Sequence, residues 1–136
     1  MNISMDKRVS KIFLKLLFFV YVSILIYFSL NPNPPFNYNR FLNEDKLWHF
    51  FVYMVGSIIL YFSFFKNARK ISRIVYFLFF CFFLIFPVFD EFYQERLPHR
   101  DGNFFDAFFS IIGFLAGFIL SVISSTAIDG NYRKDI

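Results

Sequence analysis

Four long apolar runs constrain this chain more than any other feature of its sequence. They cover residues 12–30, 47–65, 71–89 and 104–123, and each is close to the length of about 20 residues that an α-helix needs to cross a bilayer. None of them alternates between polar and apolar residues, as a membrane β-strand does. Because a helix satisfies its own backbone hydrogen bonds in lipid, the sequence predicts an all-α fold, a four-helix transmembrane bundle that forms a single domain over residues 1–136.

The composition supports the same fold class. Hydrophobic residues make up 57% of the chain and 25 residues are Phe, which is more apolar surface than a soluble domain of this size can bury. The net charge of +4 lies mainly in short clusters, which favours a role in orienting helices over nucleic-acid binding. The single cysteine, Cys81, excludes a disulfide within one chain.

Basic residues are distributed unevenly between the two sides of the predicted bundle. Four lie before or near the start of the first run, four lie between the second run and the start of the third, and two lie in the C-terminal tail. The other side of the bundle has only Arg40, Lys46, Arg96 and Arg100. Lys and Arg concentrate in cytoplasmic loops, so this bias predicts that both termini are cytoplasmic. We expect the first run to be an uncleaved helix, because no small-x-small cleavage site follows it.

Polar residues are concentrated where the second and third spans reach the predicted outer side. Asp45, His49 and Tyr53 follow one another at intervals of four residues, which places them on one face of a helix. Glu91 and Gln94 share a face at the end of the third run. Charged groups at this depth are costly and indicate a functional site.

The fourth span begins with a narrow stripe of polar and small residues. Asp106, Ser110, Gly113 and Gly117 lie at offsets of 0, 4, 7 and 11 residues. The two glycines allow another helix to approach closely. If the helices pack as a compact bundle, the polar groups of the last three spans meet in one shallow pocket.

This mixture of residues suits two kinds of chemistry. Lys46, His49 and Arg100 can hold a phosphate or carboxylate headgroup. Carboxylates together with His49 can bind a divalent cation or perform acid–base catalysis. The candidate catalytic residues are therefore Glu91, Asp106 and His49, and the candidate ligand-binding residues are Asp45, Lys46, Tyr53, Gln94, Arg100 and Ser110. The sequence does not identify a cofactor or a metal.

Each of these residues also has a structural interpretation. The aspartates at the starts of the second and fourth spans can cap their helices. Glu91 and Arg100 can form an ion pair. His49 can form a hydrogen bond between helices, and Tyr53 can be an aromatic residue of the membrane interface.

Three blocks of the sequence form a recognisable pattern. They are Asp45-Lys46-x-x-His49-Phe50-x-x-Tyr53, then Glu91-x-x-Gln94-x-x-x-Pro98-x-Arg100, and then Asp106 with Gly113 and Gly117. Together they resemble the VanZ-like family of bacterial membrane proteins, in which Asn usually stands at the position of Ser110. The resemblance covers the last three spans and implies a multi-pass protein of the bacterial plasma membrane. The namesake of the family is associated with low-level resistance to the glycopeptide teicoplanin.

The sequence is compatible with three functions. The first is a pocket that binds or modifies an anionic lipid or a cell-wall precursor at the outer leaflet. The second is a non-enzymatic assembly or accessory protein whose polar residues hold the bundle together or dock a partner. The third is a transporter, for which four spans are few, so that a dimer would be needed. The sequence contains no nucleophile elbow, phosphate loop or H-E-x-x-H motif, and it does not decide whether the protein is an enzyme.

Overall fold

Four helices account for most of the structure. The computed structural model describes residues 3–31, 44–66, 73–98 and 102–132. Within these ranges the chain forms no strand, and its helices are α1 (Ile3–Leu30), α2 (Glu44–Leu60), α3 (Arg73–Gln94) and α4 (Phe104–Tyr132). Helices α1, α3 and α4 each contain a segment long and apolar enough to cross a membrane, and so does α2 when its helical continuation to Phe65 is included. The prediction of an all-helical fold with four helices able to span a membrane is confirmed. The segments that meet these requirements are Val9–Leu30, Glu44–Phe65, Phe77–Gln94 and Phe104–Ala127.

The third span lies further along the chain than the predicted residues 71–89. Helix α3 continues through Asp90 and Glu91 and ends at Gln94. The sequence-based boundary falls where the first acid follows the apolar run. However, Asp90 and Glu91 are both buried inside the bundle, and acids that face neighbouring helices instead of lipid do not have to end a span. The helix ends in a turn closed by a 3.0 Å hydrogen bond from the Leu97 N–H to the carbonyl of Gln94.

Helix α2 ends in a π-helical segment, Tyr61–Phe65. The backbone N–H of Lys66 donates a 3.0 Å hydrogen bond to the carbonyl of Tyr61, five residues earlier, so the last turn is wider than that of an α-helix. The hydroxyl of Tyr61 lies 2.7 Å from Oγ of Ser125 in α4, and the hydroxyl of Ser63 donates to the carbonyl of Leu14 in α1 over 2.8 Å. The segment therefore connects α2 to two neighbours at the end of the bundle where α2 terminates.

The most extensive helix contact is between α2 and α4. The two helices run parallel, because His49 meets Ser110 near their starts and Tyr61, just after α2, meets Ser125 further along α4. A methyl group at Gly113 would collide with the carbonyl oxygen of Phe50. One at Gly117 would collide with Oγ of Ser57 and with the carbonyl oxygen of Met54. In lipid, helices associate through close packing and not through hydrophobic burial, and small residues allow that packing. The close contact predicted from the glycine pair is confirmed.

Aromatic side chains fill the interior of the bundle and also cover its outside. Phe18 and Phe114 are buried, and the rings of Phe80 and Phe118 meet edge to face with their centroids 5.0 Å apart, a favoured geometry for aromatic pairs. Many other large apolar side chains are exposed, and Phe104 is exposed over 76% of its surface. A bilayer solvates such a surface, whereas water does not. The spans and this surface together define a multi-pass membrane protein.

Candidate functional site

The four helices bring polar side chains to one end of the bundle, which we call the polar end. Helices α1 and α3 terminate there, and α2 and α4 begin there. Burying a polar side chain costs free energy unless it finds a partner, so this concentration requires an explanation. The buried polar residues at this end are Ser29, Asp90, Glu91, Gln94, Asp106 and Ser110.

Five of the predicted site residues meet between α2 and α4, in what we call the α2–α4 cluster: Asp45, Lys46, His49, Asp106 and Ser110. Nδ1 of His49 lies 3.1 Å from Oγ of Ser110, and Nε2 of His49 lies 3.7 Å from Oδ1 of Asp45. Nζ of Lys46 lies 3.9 Å from Oδ1 of Asp106. The cluster exists because Asp45 and His49 share a helix face at a spacing of four and the glycines of α4 let the two helices approach.

Asp106 is the most deeply buried acid of this cluster. Only 2% of its surface is exposed, and Oδ1 accepts no hydrogen bond from any residue that the structure describes. The ammonium group of Lys46 is close enough to attract it but too far away for a hydrogen bond. A buried carboxylate oxygen without a donor costs free energy. The position of Asp106 therefore favours a further donor or cation at Oδ1.

A second group of polar residues surrounds Asp90. The hydroxyl of Tyr53 donates a 3.0 Å hydrogen bond to Oδ2 of Asp90, and the hydroxyl of Ser29 donates to Oδ1. Asp90 is exposed over only 8% of its surface. Both carboxylate oxygens thus have donors from other helices, and we call these three residues the Asp90 cluster. Tyr53, a predicted ligand-binding residue, belongs to this cluster.

Glu91 connects the end of α3 to the start of α4. Its Oε1 accepts a 2.6 Å hydrogen bond from the backbone N–H of Asn103. The side chain of Asn103 in turn accepts a 3.1 Å hydrogen bond from the backbone N–H of Phe105, which satisfies a donor of the first turn of α4. The predicted catalytic residue Glu91 therefore has a clear structural contact.

Of the two remaining predicted ligand-binding residues, the structure describes only one. Gln94 is buried at the end of α3. Arg100 lies outside the described residues, and so does its predicted ion pair with Glu91.

A cavity of about 340 Å³ lies beside Glu91, between the end of α3 and the start of α4. Its walls include the carboxylates of Glu91 and Glu95 together with the rings of Phe92 and Phe104. Ligand pockets typically measure about 300–1,000 Å³ and combine apolar walls with a few polar groups. This cavity is at the lower end of that range and offers carboxylate acceptors beside aromatic surface.

Three side chains of the α2–α4 cluster can hold a metal ion. Asp45, His49 and Asp106 each offer one ligand atom, and these atoms all lie within 4.8 Å of one another. The charged and titratable groups of the α2–α4 cluster are the carboxylates of Asp45 and Asp106, the ammonium of Lys46 and the imidazole of His49. The arrangement can therefore bind a cation, bind an anionic group at Lys46 or transfer protons through His49.

Sequence reasoning did not include Ser29 or Asp90 among the candidate site residues. A signal for Asp90 is present, because an acid within an apolar helix needs a partner on another helix. No comparable signal exists for Ser29, since serine is common in membrane helices and its partner is 61 residues away in the sequence.

Comparisons with protein families, with curated proteins and with solved structures found no match to this chain. The fold and the polar end thus define the class of protein: a helical membrane protein with four helices able to span a bilayer, and with buried acids beside a partly exposed lysine and histidine at one end.

Proposed function

We propose that the polar end binds the headgroup of an anionic envelope lipid or a cell-wall precursor at the outer leaflet of the bacterial plasma membrane. The observation that carries this proposal is the gathering of buried polar groups at one end of a bundle whose outer surface suits lipid. Charged residues near membrane depth are costly and are by default functional. The distribution of Lys and Arg supports an outward-facing polar end with cytoplasmic termini.

The α2–α4 cluster and the neighbouring cavity offer complementary groups to such a headgroup. The side chain of Lys46 is 20% exposed, so its ammonium can reach a phosphate or carboxylate. Glu91 and Glu95 at the cavity can accept hydrogen bonds from hydroxyl, amide or amine groups. Modification of the ligand would require proton transfer, for which His49, Glu91 and Asp106 are the candidates.

The resemblance to the VanZ-like family supports a role in the cell envelope. Teicoplanin is therefore the first antibiotic to use in a cell-based test. Cells that express the protein would be compared with cells that express His49→Ala, Glu91→Ala, Arg100→Ala or Asp106→Ala, with the amount of each variant in the membrane measured in parallel. Loss of protection at a normal protein level would support a working site.

Lipid retention provides a direct test of binding. The protein would be extracted with native lipids and analysed by native mass spectrometry, with and without EDTA. In EDTA, we expect the wild-type protein to retain a phosphate-bearing lipid that Lys46→Gln loses. Lys66→Gln, at the far end of α2, is the matched control and should retain it. Equal retention by both variants in EDTA, or no retained lipid in the wild type with or without EDTA, would contradict headgroup binding.

A non-enzymatic assembly or accessory protein is the second candidate function. The Asp90 cluster and the bond from Asn103 to Glu91 favour it, because both connect helices through hydrogen bonds within the protein. Under this alternative, substitutions at Asp45, Glu91 and Asp106 would all lower the amount of folded protein and would have no effect specific to a ligand.

A further inference from the structure

The geometry points to a binding site for one divalent cation, Mn²⁺ or Zn²⁺, formed by Asp45, His49 and Asp106. The three side chains come from two helices, and their ligand atoms lie within 4.8 Å of one another. Two carboxylates and an imidazole form a mixed oxygen and nitrogen set. Imidazole favours transition-type cations over Mg²⁺, and carboxylates are suitable ligands for Mn²⁺ and Zn²⁺.

The buried oxygen of Asp106 is an independent observation that supports the site. Its Oδ1 is buried and accepts no hydrogen bond within the described part of the chain. A buried carboxylate oxygen without a hydrogen-bond donor is unfavourable, and the ammonium of Lys46 at 3.9 Å does not supply that hydrogen bond. A bound cation would satisfy this oxygen directly.

Ser110 orients the imidazole for this role. It holds the Nδ1 side of His49 at 3.1 Å, while Nε2 lies on the side of Asp45, 3.7 Å from its Oδ1. Histidine ligands commonly donate their second ring N–H to an oxygen, which fixes the tautomer that presents the other nitrogen to the metal. The hydroxyl of Ser110 can accept that hydrogen bond, so Ser110 is a positioning residue.

Small side-chain movements complete the coordination. Ligand bonds of about 2.1 Å place the donors roughly 3–4 Å apart, whereas the present separations extend to as much as 4.8 Å. Rotation of the partly exposed side chain of Asp45 is sufficient to close a gap of about 1 Å. The remaining coordination positions are available to water or to an oxygen of a ligand.

Lys46 competes with the cation for Asp106. Its ammonium lies 3.9 Å from the Oδ1 that the cation would bind, and two positive charges repel at this distance. The long side chain can withdraw toward the headgroup region, as lysines near membrane surfaces do. Replacing Lys46 by a neutral residue should therefore strengthen cation binding, which is the opposite of its expected effect on a bound anion.

The metal site does not depend on the proposed function, but a role for the metal in that function does. A cation at this position can bind a phosphate oxygen of a headgroup directly. This would explain how a cluster with more carboxylates than ammonium groups can hold an anionic ligand.

Titration with Mn²⁺ alone tests the site. Purified protein in detergent would be titrated with Mn²⁺, and the free ion would be followed by electron paramagnetic resonance. We expect one saturable Mn²⁺ per chain, displaced by Zn²⁺ but not by an equal concentration of Mg²⁺. Asp45→Asn and His49→Gln should each weaken binding by about tenfold or more, and Lys46→Gln should strengthen it. Glu44→Gln, an exposed acid one residue before Asp45 on the same helix, is the matched control and should bind normally.

The outcomes separate the two proposals. Absence of saturable Mn²⁺ binding, or equal binding by wild type, Asp45→Asn and His49→Gln, would overturn the metal site and leave lipid retention in EDTA as the test of the headgroup proposal. Mn²⁺ binding with no retained lipid would support the metal site and contradict headgroup binding. If Asp106→Asn does not fold, the variants of Asp45 and His49, which are less buried, decide the question.

Discussion

The phenolic hydroxyl of Tyr53 in α2 donates a 3.0 Å hydrogen bond to Oδ2 of Asp90 in α3. Ser29 of α1 donates to the other oxygen of the same carboxylate. Three helices thus share one buried acid, and α4 approaches the polar end through a different set of residues. The two clusters can therefore be perturbed separately, which allows structural and chemical roles to be distinguished.

Removing the hydroxyl of Tyr53 should destabilise the bundle. In Tyr53→Phe, the buried carboxylate of Asp90 loses one donor, and we expect a loss of about 1–2 kcal/mol in the free energy of unfolding. The measurement is the unfolding transition in detergent, followed by circular dichroism. Tyr93→Phe removes the same hydroxyl from an exposed tyrosine of α3 and should change little. Equal stability of the two variants would show that the Tyr53–Asp90 bond does not stabilise the fold.

Methyl groups at the α2–α4 contact should separate the two helices. Gly113→Ala and Gly117→Ala place a carbon against backbone oxygens that cannot move independently of α2, and we expect each to cost about 1–3 kcal/mol. In Gly56→Ala the new carbon lies 2.9 Å from an atom of the Tyr21 ring, and because a side chain can move aside, the cost should be smaller. Thermal unfolding of the three variants tests this order, and a larger loss for Gly56→Ala would contradict it.

Two substitutions at Glu91 distinguish its hydrogen bond from its charge. Glu91→Gln keeps an oxygen that can accept from the Asn103 N–H, so its stability should stay close to that of the wild type. Glu91→Ala removes the acceptor and should lose about 1–2 kcal/mol. If the carboxylate takes part in chemistry or in ligand binding, Glu91→Gln will lose that activity while it remains folded. Normal activity in Glu91→Gln would restrict the role of Glu91 to the connection between α3 and α4.

The proposed orientation can be tested with single cysteines. After replacement of Cys81 by Ser, Glu95→Cys marks the polar end and Lys66→Cys marks the opposite end, since both positions are exposed. A membrane-impermeant thiol reagent should label Glu95→Cys in intact cells and Lys66→Cys only after permeabilisation, because the basic residues predict cytoplasmic termini. The reverse pattern would place the polar end in the cytoplasm and contradict a site at the outer leaflet.

Much of the fold was predictable because its signals are local. An apolar run of about 20 residues is sufficient to indicate a membrane helix, and the four predicted spans are all present. The pairing of Asp45 with His49 follows from their spacing along one helix face. The glycine spacing of α4 likewise indicated a helix contact, although it did not indicate which helix makes it.

The remaining features depend on how the helices are rotated about their axes. Tyr53 shares a helix face with His49 in sequence, yet its hydroxyl reaches Asp90 on α3 instead of the α2–α4 cluster. Neither this contact nor that of Ser29 with Asp90 leaves a pattern in the sequence. The boundary of the third span at residue 89 differs from the structure for the same reason, since two consecutive acids indicate the end of an apolar span unless their partners inside the bundle are known. The shared helix face expected for Glu91 and Gln94 agrees with the extension of α3 to Gln94.

The parallel packing of α2 against α4 has a consequence for biosynthesis. These two helices are not consecutive, so α2 cannot adopt its most extensive contact until the whole of α3 and then α4 have left the ribosome. During that interval the face of α2 that carries His49 has no permanent neighbour and must be accommodated by the insertion machinery or by lipid. A chain interrupted before α4 would retain three spans but would lack the surface on which half of the polar end is assembled.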